Sequence, residues 1–303
     1  MCRLMLLPLL LLFPLSTALA TGAAAQTAVV AETGPKLTAW PAVPADKAEA
    51  LAADVQRLRK AHTPEMGKQA HDALTAIGAA AVPSLLPALE KEVNEAARER
   101  VRALLVELIA PEHTRLLAKE FTSKLPAVRE FALLRAAAFP DAGLREDAEK
   151  ALAFTKPDPK KKIKPPPLAP DEAYAAALCC ASSGSIAGLF ELHERATKQW
   201  APRRAELTTA LNAARGKPAS EFLLPLLEHE DRAKRVAAIN MLGACGDKET
   251  AVPRIKPFLD DVDGGLKISA INALRGIVDN APPIDNLSIF EAVEEAKKWQ
   301  KRV

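Results

Sequence analysis

The side chains that most often carry catalysis or metal binding are scattered through this sequence. The five histidines stand far apart, and none forms an H-x-x-x-H or H-E-x-x-H pair of the kind that binds zinc. No G-x-S-x-G nucleophile motif and no glycine-rich phosphate loop occurs, and only 13 glycines are present. We therefore expect no catalytic residue, no metal and no cofactor. The histidines are His62, His71, His113, His193 and His229.

The cysteines are too few for a disulfide-held fold. Cys2 stands in the N-terminal segment, and Cys179, Cys180 and Cys245 follow. Neighbouring residues of a helix point about 100° apart, so Cys179 and Cys180 cannot easily bond to each other. We interpret these three as small buried hydrophobes, and a disulfide from Cys245 to one of the pair is the alternative. Three cysteines without a nearby histidine do not make a metal site.

The N-terminus has the pattern of a secretory signal peptide, predicted at residues 1–20. Arg3 is the only charge, an apolar run of about 12 residues from Leu4 to Leu15 follows, and small residues close the segment. A membrane span needs about 20 apolar residues, so an uncleaved anchor is the weaker alternative. Cleavage there or after Ala25 predicts an exported chain, periplasmic or extracellular, with no integral membrane segment.

Composition indicates a helical chain. Of the 303 residues, 49% are hydrophobic and only 4% aromatic, and alanine makes up roughly a fifth. Alanine favours helices, whereas the β-branched and aromatic residues that favour strands are sparse. Basic residues outnumber acidic ones by 41 to 38, a smaller excess than a nucleic-acid binder with a dominant basic face would show. We therefore expect no nucleic-acid partner.

The chain contains an internal repeat. Residues 223–249 align without gaps on residues 255–281, at an offset of 32 residues. A period of this length is typical of stacked helix pairs, each of which buries its apolar face only against its neighbours. The aligned pairs are Pro225 with Pro257, Val236 with Ile268, Ile239 with Ile271, Asn240 with Asn272, and Leu242 with Leu274.

These motifs resemble HEAT repeats. The unit has a first helix with "LLPLL", a turn with Asp, a second helix that opens "VR" or "KR", and a closing "ALG" before the next "AVP". Ile77-Gly78 and Leu242-Gly243 stand at the closing position. The resemblance covers residues 46–280. It implies an all-α fold, a right-handed α-solenoid of about seven HEAT-like helix pairs, similar to armadillo arrays. The last three pairs are predicted at residues 185–215, 218–245 and 250–279.

Three segments depart from the repeat. Residues 21–45 are rich in Ala, Thr and Pro and are predicted as a flexible leader before the solenoid, 46–303. Residues 154–170 hold six prolines and five lysines, which predicts a loop insertion. This loop is either solvated or in contact with an anionic polymer or phospholipid. Residues 284–303 are predicted as a capping helix that begins at a capping box with Ser288.

Basic residues recur near the start of the second helices. Arg129, Arg235 and Lys267 occupy the same place in three repeats. The HEAT resemblance implies that such a residue pairs with a turn aspartate, here Asp231 or Asp263, and ties neighbouring repeats together. A direct contact with a ligand is the alternative, so these three residues are also candidate binding residues.

Asn240 and Asn272 hold equivalent positions in consecutive second helices, which line the concave face in the HEAT family. Asparagine has a low intrinsic helix propensity, so its recurrence in the middle of two helices needs a reason. One reason is a ladder of amides that binds the backbone of an extended partner, as in armadillo arrays. The other is a pair of amides packed against a neighbouring helix or loop. Under the first reason, Lys267 adds a charge to the same surface.

Together, the resemblance and the scattered titratable residues favour a non-enzymatic protein-binding scaffold or adaptor. It would act through the concave surface of an exported solenoid, on a protein partner. The alternative is an accessory or regulatory subunit of an enzyme, with weak lyase-like activity of its own, because some bacterial HEAT-like repeats are named after bilin lyases. No chromophore-handling residue of that group can be matched in this sequence.

Overall fold

A computed structural model describes residues 37–91, 94–155 and 171–303 of the chain. The predicted signal peptide, 1–20, lies outside the described residues. So do most of the predicted leader and residues 156–170 of the predicted loop.

In the described ranges, thirteen α-helices follow one another, joined by turns and short 3₁₀ segments, and no strand occurs there. No single helix among them is long and apolar enough to cross a membrane, although the bent pair Pro64–Thr75 and Gly78–Glu90, at 110°, meets that criterion jointly. The helices are α1 Ala48–Lys60, α2 Pro64–Thr75, α3 Val82–Lys91, α4 Glu95–Leu108, α5 Pro126–Ala137, α6 Arg145–Thr155, α7 Glu172–Ser182, α8 Leu189–Ala213, α9 Lys217–Leu223, α10 Arg232–Cys245, α11 Lys248–Ile255, α12 Gly264–Asp279 and α13 Ile289–Arg302.

The helices stack in chain order. Helix α1 packs on α2 and α4, α3 packs on α4 and α5, and α5 packs on α7. The series continues through α8, α10 and α12 to α13. Leucine and alanine side chains fill the space between the helices in one continuous core. The predicted all-α solenoid class is therefore confirmed for the described residues, and the right-handed sense stays a prediction.

Prolines set where the first helices of the last two pairs bend. Helix α9 passes into a 3₁₀ segment at Leu224, and α11 does so at Lys256. Each segment places a proline, Pro225 or Pro257, at its second residue. Proline lacks the N–H that an α-helix would use there, and its ring clashes with the preceding turn. The proline that recurs at this position of the repeat therefore accounts for the bend that recurs in both helices.

Capping side chains fix the starts of the last four helices. Helices α10, α11 and α12 begin behind Asp231, Asp247 and Asp263, each of which accepts a first-turn backbone N–H. Helix α13 begins at the predicted capping box. Ser288 Oγ accepts the N–H of Glu291 at 3.3 Å, and the Glu291 carboxylate accepts the N–H of Ser288 at 2.9 Å.

Helix α8 departs from the predicted organisation. Residues 185–215, expected as a helix pair, contain one long helix with a kink at Gln199, whose φ of −140° is not helical. Pro202 lies inside the following turn and removes the backbone hydrogen bond that would span the kink. Arg195 and Arg203 both donate to Gln199 Oε1, at 3.3 and 3.0 Å, and so bracket the break.

Two predicted boundaries also shift. Helix α6 includes Phe154 and ends at Thr155, so the predicted loop 154–170 begins too early; the first proline after the helix start is Pro157. Within the part of the leader that is described, Trp40 stacks on the His113 ring with 5.6 Å between the ring centroids. This stretch therefore packs on the array.

Candidate functional site

A polar cavity of about 410 Å³ lies between the last half of α8, the helices α10 and α12, and the segment that follows α12. We call it the asparagine pocket. No acidic side chain lines it, and two arginines do. Its lining residues are Trp200, Arg204, Thr208, Asn212, Arg215, Asn240, Gly243, Ala244, Asn272, Ala273, Gly276, Asn280, Ala281, Pro282 and Pro283.

One wall of the asparagine pocket is a single face of α8. Trp200, Arg204, Thr208 and Asn212 follow one another at intervals of four residues, and Arg215 comes just after the helix end. Residues four apart lie on the same side of a helix, one turn above the other. The kink at the start of this half therefore aims one continuous polar face at the pocket.

The floor of the pocket is a close crossing of α10 and α12. A Cβ atom at Gly243 would lie 2.8 Å from the Cα of Ala273, and one at Gly276 would run into the carbonyl oxygen of Gly243. Glycine is therefore needed at both positions for the two backbones to approach this closely. The floor carries only small side chains, so a ligand's main chain has room to come near it.

The opposite wall is formed by Ala281, Pro282 and Pro283, the first residues of a non-helical segment, 281–287, which we call the strap. The strap turns at Asp285 and Asn286, and Asn286 has a φ of 58°. Asn280 ends α12 in the left-handed conformation, with φ of 50°, and turns the chain back across the helix. The Asn272 carboxamide then holds the strap at Ile284. Its Oδ1 accepts the Ile284 N–H at 2.8 Å, and its Nδ2 donates to the Ile284 carbonyl at 3.4 Å.

Two arginines complete the hold on the strap. Arg275 Nε donates to the Pro282 carbonyl at 3.1 Å. Arg204, from the α8 wall, donates to Asp285 Oδ1 at 2.7 Å. The strap is thus bound by amide-to-backbone bonds, a carbonyl contact and one carboxylate–guanidinium pair, which are the contacts an extended peptide would make.

The structure brings two of the five candidate binding residues into this pocket. Asn240 and Asn272 both line it, and their role in binding stays a prediction. Asn272 is a packed amide bonded to a neighbouring loop, which was one of the two alternatives. Asn240 is partly exposed, and among the described residues no hydrogen-bond partner of its side chain is found. Asn240 is therefore the amide available to a ligand.

The three basic candidates lie elsewhere. Arg235 donates to the carbonyls of His229 and Glu230, at 2.8 and 2.9 Å, rather than to a turn aspartate. Lys267 is partly exposed near the start of α12 and does not line the pocket. Arg129 is 1% exposed. A partner therefore cannot reach Arg129 in this conformation, and its place among surface binding residues is corrected.

Arg129 instead forms a buried ion pair. Its Nε and Nη2 donate to the two carboxylate oxygens of Glu172 at 2.7 and 2.9 Å, and its Nη1 donates to the Ser123 carbonyl at 2.6 Å. Glu172 is fully buried at the start of α7. Arg129 was expected to pair with a turn aspartate. That prediction is wrong, because Arg129 pairs with Glu172, which comes from the next helix pair.

Arg235 was expected to form an ion pair that links neighbouring repeats. Arg232, three residues earlier on α10, forms that ion pair instead. The Arg232 guanidinium pairs with Asp263, the residue that caps α12, and Arg232 Nη2 donates to Asp263 Oδ1 at 2.7 Å. This hydrogen-bonded pair holds the pKa of Asp263 well below its ordinary value. The turn aspartate was therefore identified correctly and its cation was not.

The remaining titratable groups do not assemble a reactive site in the described ranges. Cys179, Cys180 and Cys245 are buried and none of them forms a disulfide, so the alternative of a disulfide to Cys245 is wrong. Burial raises the pKa of Cys245 to about 12, and raises that of Cys179 as well, which keeps these thiols protonated and unreactive. No group of three potential metal ligands is found among the described histidines, cysteines and carboxylates.

No family model matches this chain, and no curated protein matches it either. A solved structure, the complex of CpcE and CpcF of phycocyanin lyase from Nostoc sp. PCC7120, is similar over 90% of this chain and 97% of that chain. The identity is 18% and the TM-score 0.39, so this likeness carries no argument about the pocket. The chain's own features define it as a helical-repeat protein with a polar pocket that holds part of its own backbone.

Proposed function

We propose that this chain is a non-enzymatic scaffold that binds a protein partner in the asparagine pocket. The observation that supports this proposal is the strap, a non-helical segment whose backbone is held at Ile284 by both polar atoms of the Asn272 carboxamide. The pocket's chemistry thus already suits the backbone of an extended chain. Asn240 presents the same side chain one repeat earlier, at the same pocket, to any segment that comes from outside.

The physical basis is the pairing of backbone groups. An extended segment leaves its N–H and C=O groups without partners inside itself, and burying them unpaired is costly. A carboxamide offers a donor and an acceptor side by side, so one asparagine satisfies both groups of a single residue. The pocket floor, at Gly243, Ala244, Ala273 and Gly276, carries no side chain larger than a methyl group, so that backbone can come close to it.

We further propose that the chain belongs to the HEAT group of solenoids and works outside the cytoplasm, in the periplasm or the extracellular space. The "LLPLL" segment and the recurring "VR" motif support the first part, and the charged, apolar and small-residue order of residues 1–20 supports the second. N-terminal sequencing of the protein from an envelope extract tests the location, with Thr21 or Gln26 expected as the first residue and Met1 as the contrary result.

Site-specific photo-crosslinking in the cell of origin tests the binding surface. A photoreactive residue at Thr208, which lines the pocket, should give a covalent adduct with a protein partner. Thr209, the next residue of α8, is exposed, and its hydroxyl donates to the Ala205 carbonyl. It does not line the pocket and is the matched control. Equal adducts from both positions would contradict the proposal.

The variant Asn240→Ala sharpens the same test. We expect the adduct at Thr208 to weaken by about fivefold or more, because a hydrogen-bonded amide at a binding site contributes about 1–3 kcal/mol. The melting temperature should be unchanged, because Asn240 supports no described contact. Asn272→Ala should instead lower the melting temperature, since it releases the strap at Ile284. An adduct that is indifferent to Asn240 would exclude this residue from the binding surface.

A further inference from the structure

The Asn272 and Arg275 pair that holds the strap occurs a second time on the wall of the same pocket. Asn272-Ala273-Leu274-Arg275 on α12 matches Asn212-Ala213-Ala214-Arg215 at the end of α8. In the first copy, both polar side chains bind strap backbone, at Ile284 and Pro282. In the second copy, the two side chains bind each other, and Arg215 Nη2 donates to Asn212 Oδ1 at 3.0 Å.

The two arginines of the pocket differ in whether a carboxylate neutralises their charge. Arg204 is neutralised by Asp285 of the strap. No carboxylate of the described residues lies within salt-bridge distance of Arg215, and no acidic residue lines the pocket. The remaining described contact of Arg215 is a long one, 3.4 Å from Nη1 to the Gly276 carbonyl. Its guanidinium therefore stands at the pocket with donor capacity to spare.

We propose that Asn212 and Arg215 form a second binding position, which takes an extended, carboxylate-bearing segment of a partner protein. The inference rests on the proposed function, and it names the chemistry of the partner. The Arg215 guanidinium exchanges its bond with Asn212 for a charged bond to the partner's carboxylate, which is a stronger acceptor. The freed Asn212 carboxamide then pairs with the partner's backbone, as Asn272 pairs with the strap.

The strap itself indicates what such a segment looks like. Its sequence is Ala-Pro-Pro-Ile-Asp-Asn-Leu, with the backbone of Ile284 bound by an amide and the next residue, Asp285, bound by an arginine. Proline at two positions restricts the backbone of the first half of the segment, before the turn at Asp285 and Asn286, and lowers the entropy lost on binding. In the strap this carboxylate pairs with Arg204, whereas Arg275 binds the Pro282 carbonyl, so the strap indicates the chemistry of the partner segment and sets no spacing between its carboxylate and the backbone that Asn212 binds.

A peptide-binding measurement on the full chain tests this inference. The probe is a fluorescent heptapeptide with the strap sequence, APPIDNL, and its neutral counterpart is APPINNL. We expect the acidic peptide to bind more tightly than the neutral one, by about tenfold, because a charged hydrogen bond is lost in the second. Arg215→Gln should weaken the acidic peptide by a similar factor and leave the neutral peptide unchanged.

Matched variants keep the result interpretable. Arg254→Gln removes an arginine that pairs with Glu228 outside the pocket, and it should leave peptide binding unchanged. Arg215→Lys keeps the charge without the planar fork and should give an intermediate affinity. Thermal unfolding of each variant shows whether it is folded before its binding is compared.

Three results would overturn the inference. The first is equal affinity for APPIDNL and APPINNL, or indifference to Arg215→Gln. The second is loss of binding on Asn272→Ala alone, which would mean that the peptide replaces the strap. The third is equal competition by acetate at the concentration of the peptide, which would mean a free carboxylate site. In each case a Thr208 adduct that depends on Asn240 would leave the proposed function standing.

Discussion

At the scale of single residues, His193 makes the fold sensitive to acid. The imidazole is 1% exposed inside α8, and its Nε2 lies 2.9 Å from the Lys234 carbonyl of α10. Burial is the main cause that lowers the pKa of His193 below its ordinary 6.5, and the carbonyl opposes it only in part. The native state therefore holds the neutral ring, and the unfolded state takes up a proton first.

The sign of the resulting pH dependence follows from linkage. Stability from His193 is complete above pH 6.5 and is lost as the pH falls from there toward the lowered native pKa. Each unit of depression is worth about 1.4 kcal/mol. We expect the melting temperature of the chain to fall between pH 7.5 and 5.5, and to fall less in His193→Gln, whose amide still reaches the Lys234 carbonyl. Equal slopes in the two proteins would exclude His193 as the cause.

Residue-level prediction from the sequence related distant side chains to one another only where an internal repeat supplied a second example. Asn240 and Asn272 stand 32 residues apart in aligned repeats, and both line the pocket. It failed for Arg129, because its partner Glu172 lies in a different helix pair, beyond a proline-rich segment, with no repeat to mark it. The four-residue Asn-x-x-Arg match of α8 and α12 was present in the sequence, but it crosses the repeat register.

At the scale of helices, the crossing of α10 and α12 depends on glycine. Gly276→Ala would drive a Cβ into the Gly243 carbonyl, and backbone cannot yield as a side chain can. Overpacking of this kind costs about 1–3 kcal/mol. We expect a lower free energy of unfolding and a weaker Asn240-dependent adduct, because the pocket floor must widen. Denaturant unfolding and the Thr208 crosslink measure the two effects.

Gly67→Ala is the matched control for that prediction. Gly67 also lies inside a helix, α2, where a new Cβ would make ordinary contacts of 3.5 Å and 3.8 Å. Alanine is the better helix former, so this change should raise the free energy of unfolding by about 0.5–1 kcal/mol. If both variants proved stabilising, the crossing would be looser than its geometry indicates.

The positions of the helices could be predicted from the repeat period and the composition. Whether two neighbouring predicted helices form one continuous helix could not be predicted. The internal repeat predicted helix pairs at residues 218–245 and 250–279, and these correspond to α9 with α10 and to α11 with α12. The pair expected at 185–215 is a single kinked helix, because Pro202 is tolerated at a bend and the Gln199 side chain, which accepts from Arg195 and Arg203, links the turns on either side of the kink. A local pattern cannot separate a kink from a turn.

At the scale of the whole molecule, Arg129 and Glu172 join the two halves of the array. The pair connects α5 to α7, and Phe154 of α6 covers the guanidinium with its ring centroid 5.1 Å from Cζ. Arg129→Met would leave the Glu172 carboxylate buried and unpaired, which costs about 3–5 kcal/mol. We expect denaturant unfolding to lose that stability or to split into two transitions, since a solenoid is held only through neighbouring repeats.

The double variant Arg129→Met with Glu172→Leu provides the comparison. Replacing both charges with apolar groups of similar volume removes the unpaired carboxylate, so most of the lost stability should return. If the double variant were as unstable as the single one, the attraction within the ion pair would be what holds α5 to α7. The cost of an unpaired buried carboxylate would then not explain the loss of stability.

The strap has a consequence for which partners the pocket admits. Because it is tethered to α12, its effective concentration at Asn272 is of millimolar order, and it is always present. A free segment with the same intrinsic affinity would have to exceed that concentration to displace it. The chain therefore carries a built-in competitor that sets an affinity threshold, and only partners with contacts beyond those of the strap would occupy the Asn272 position.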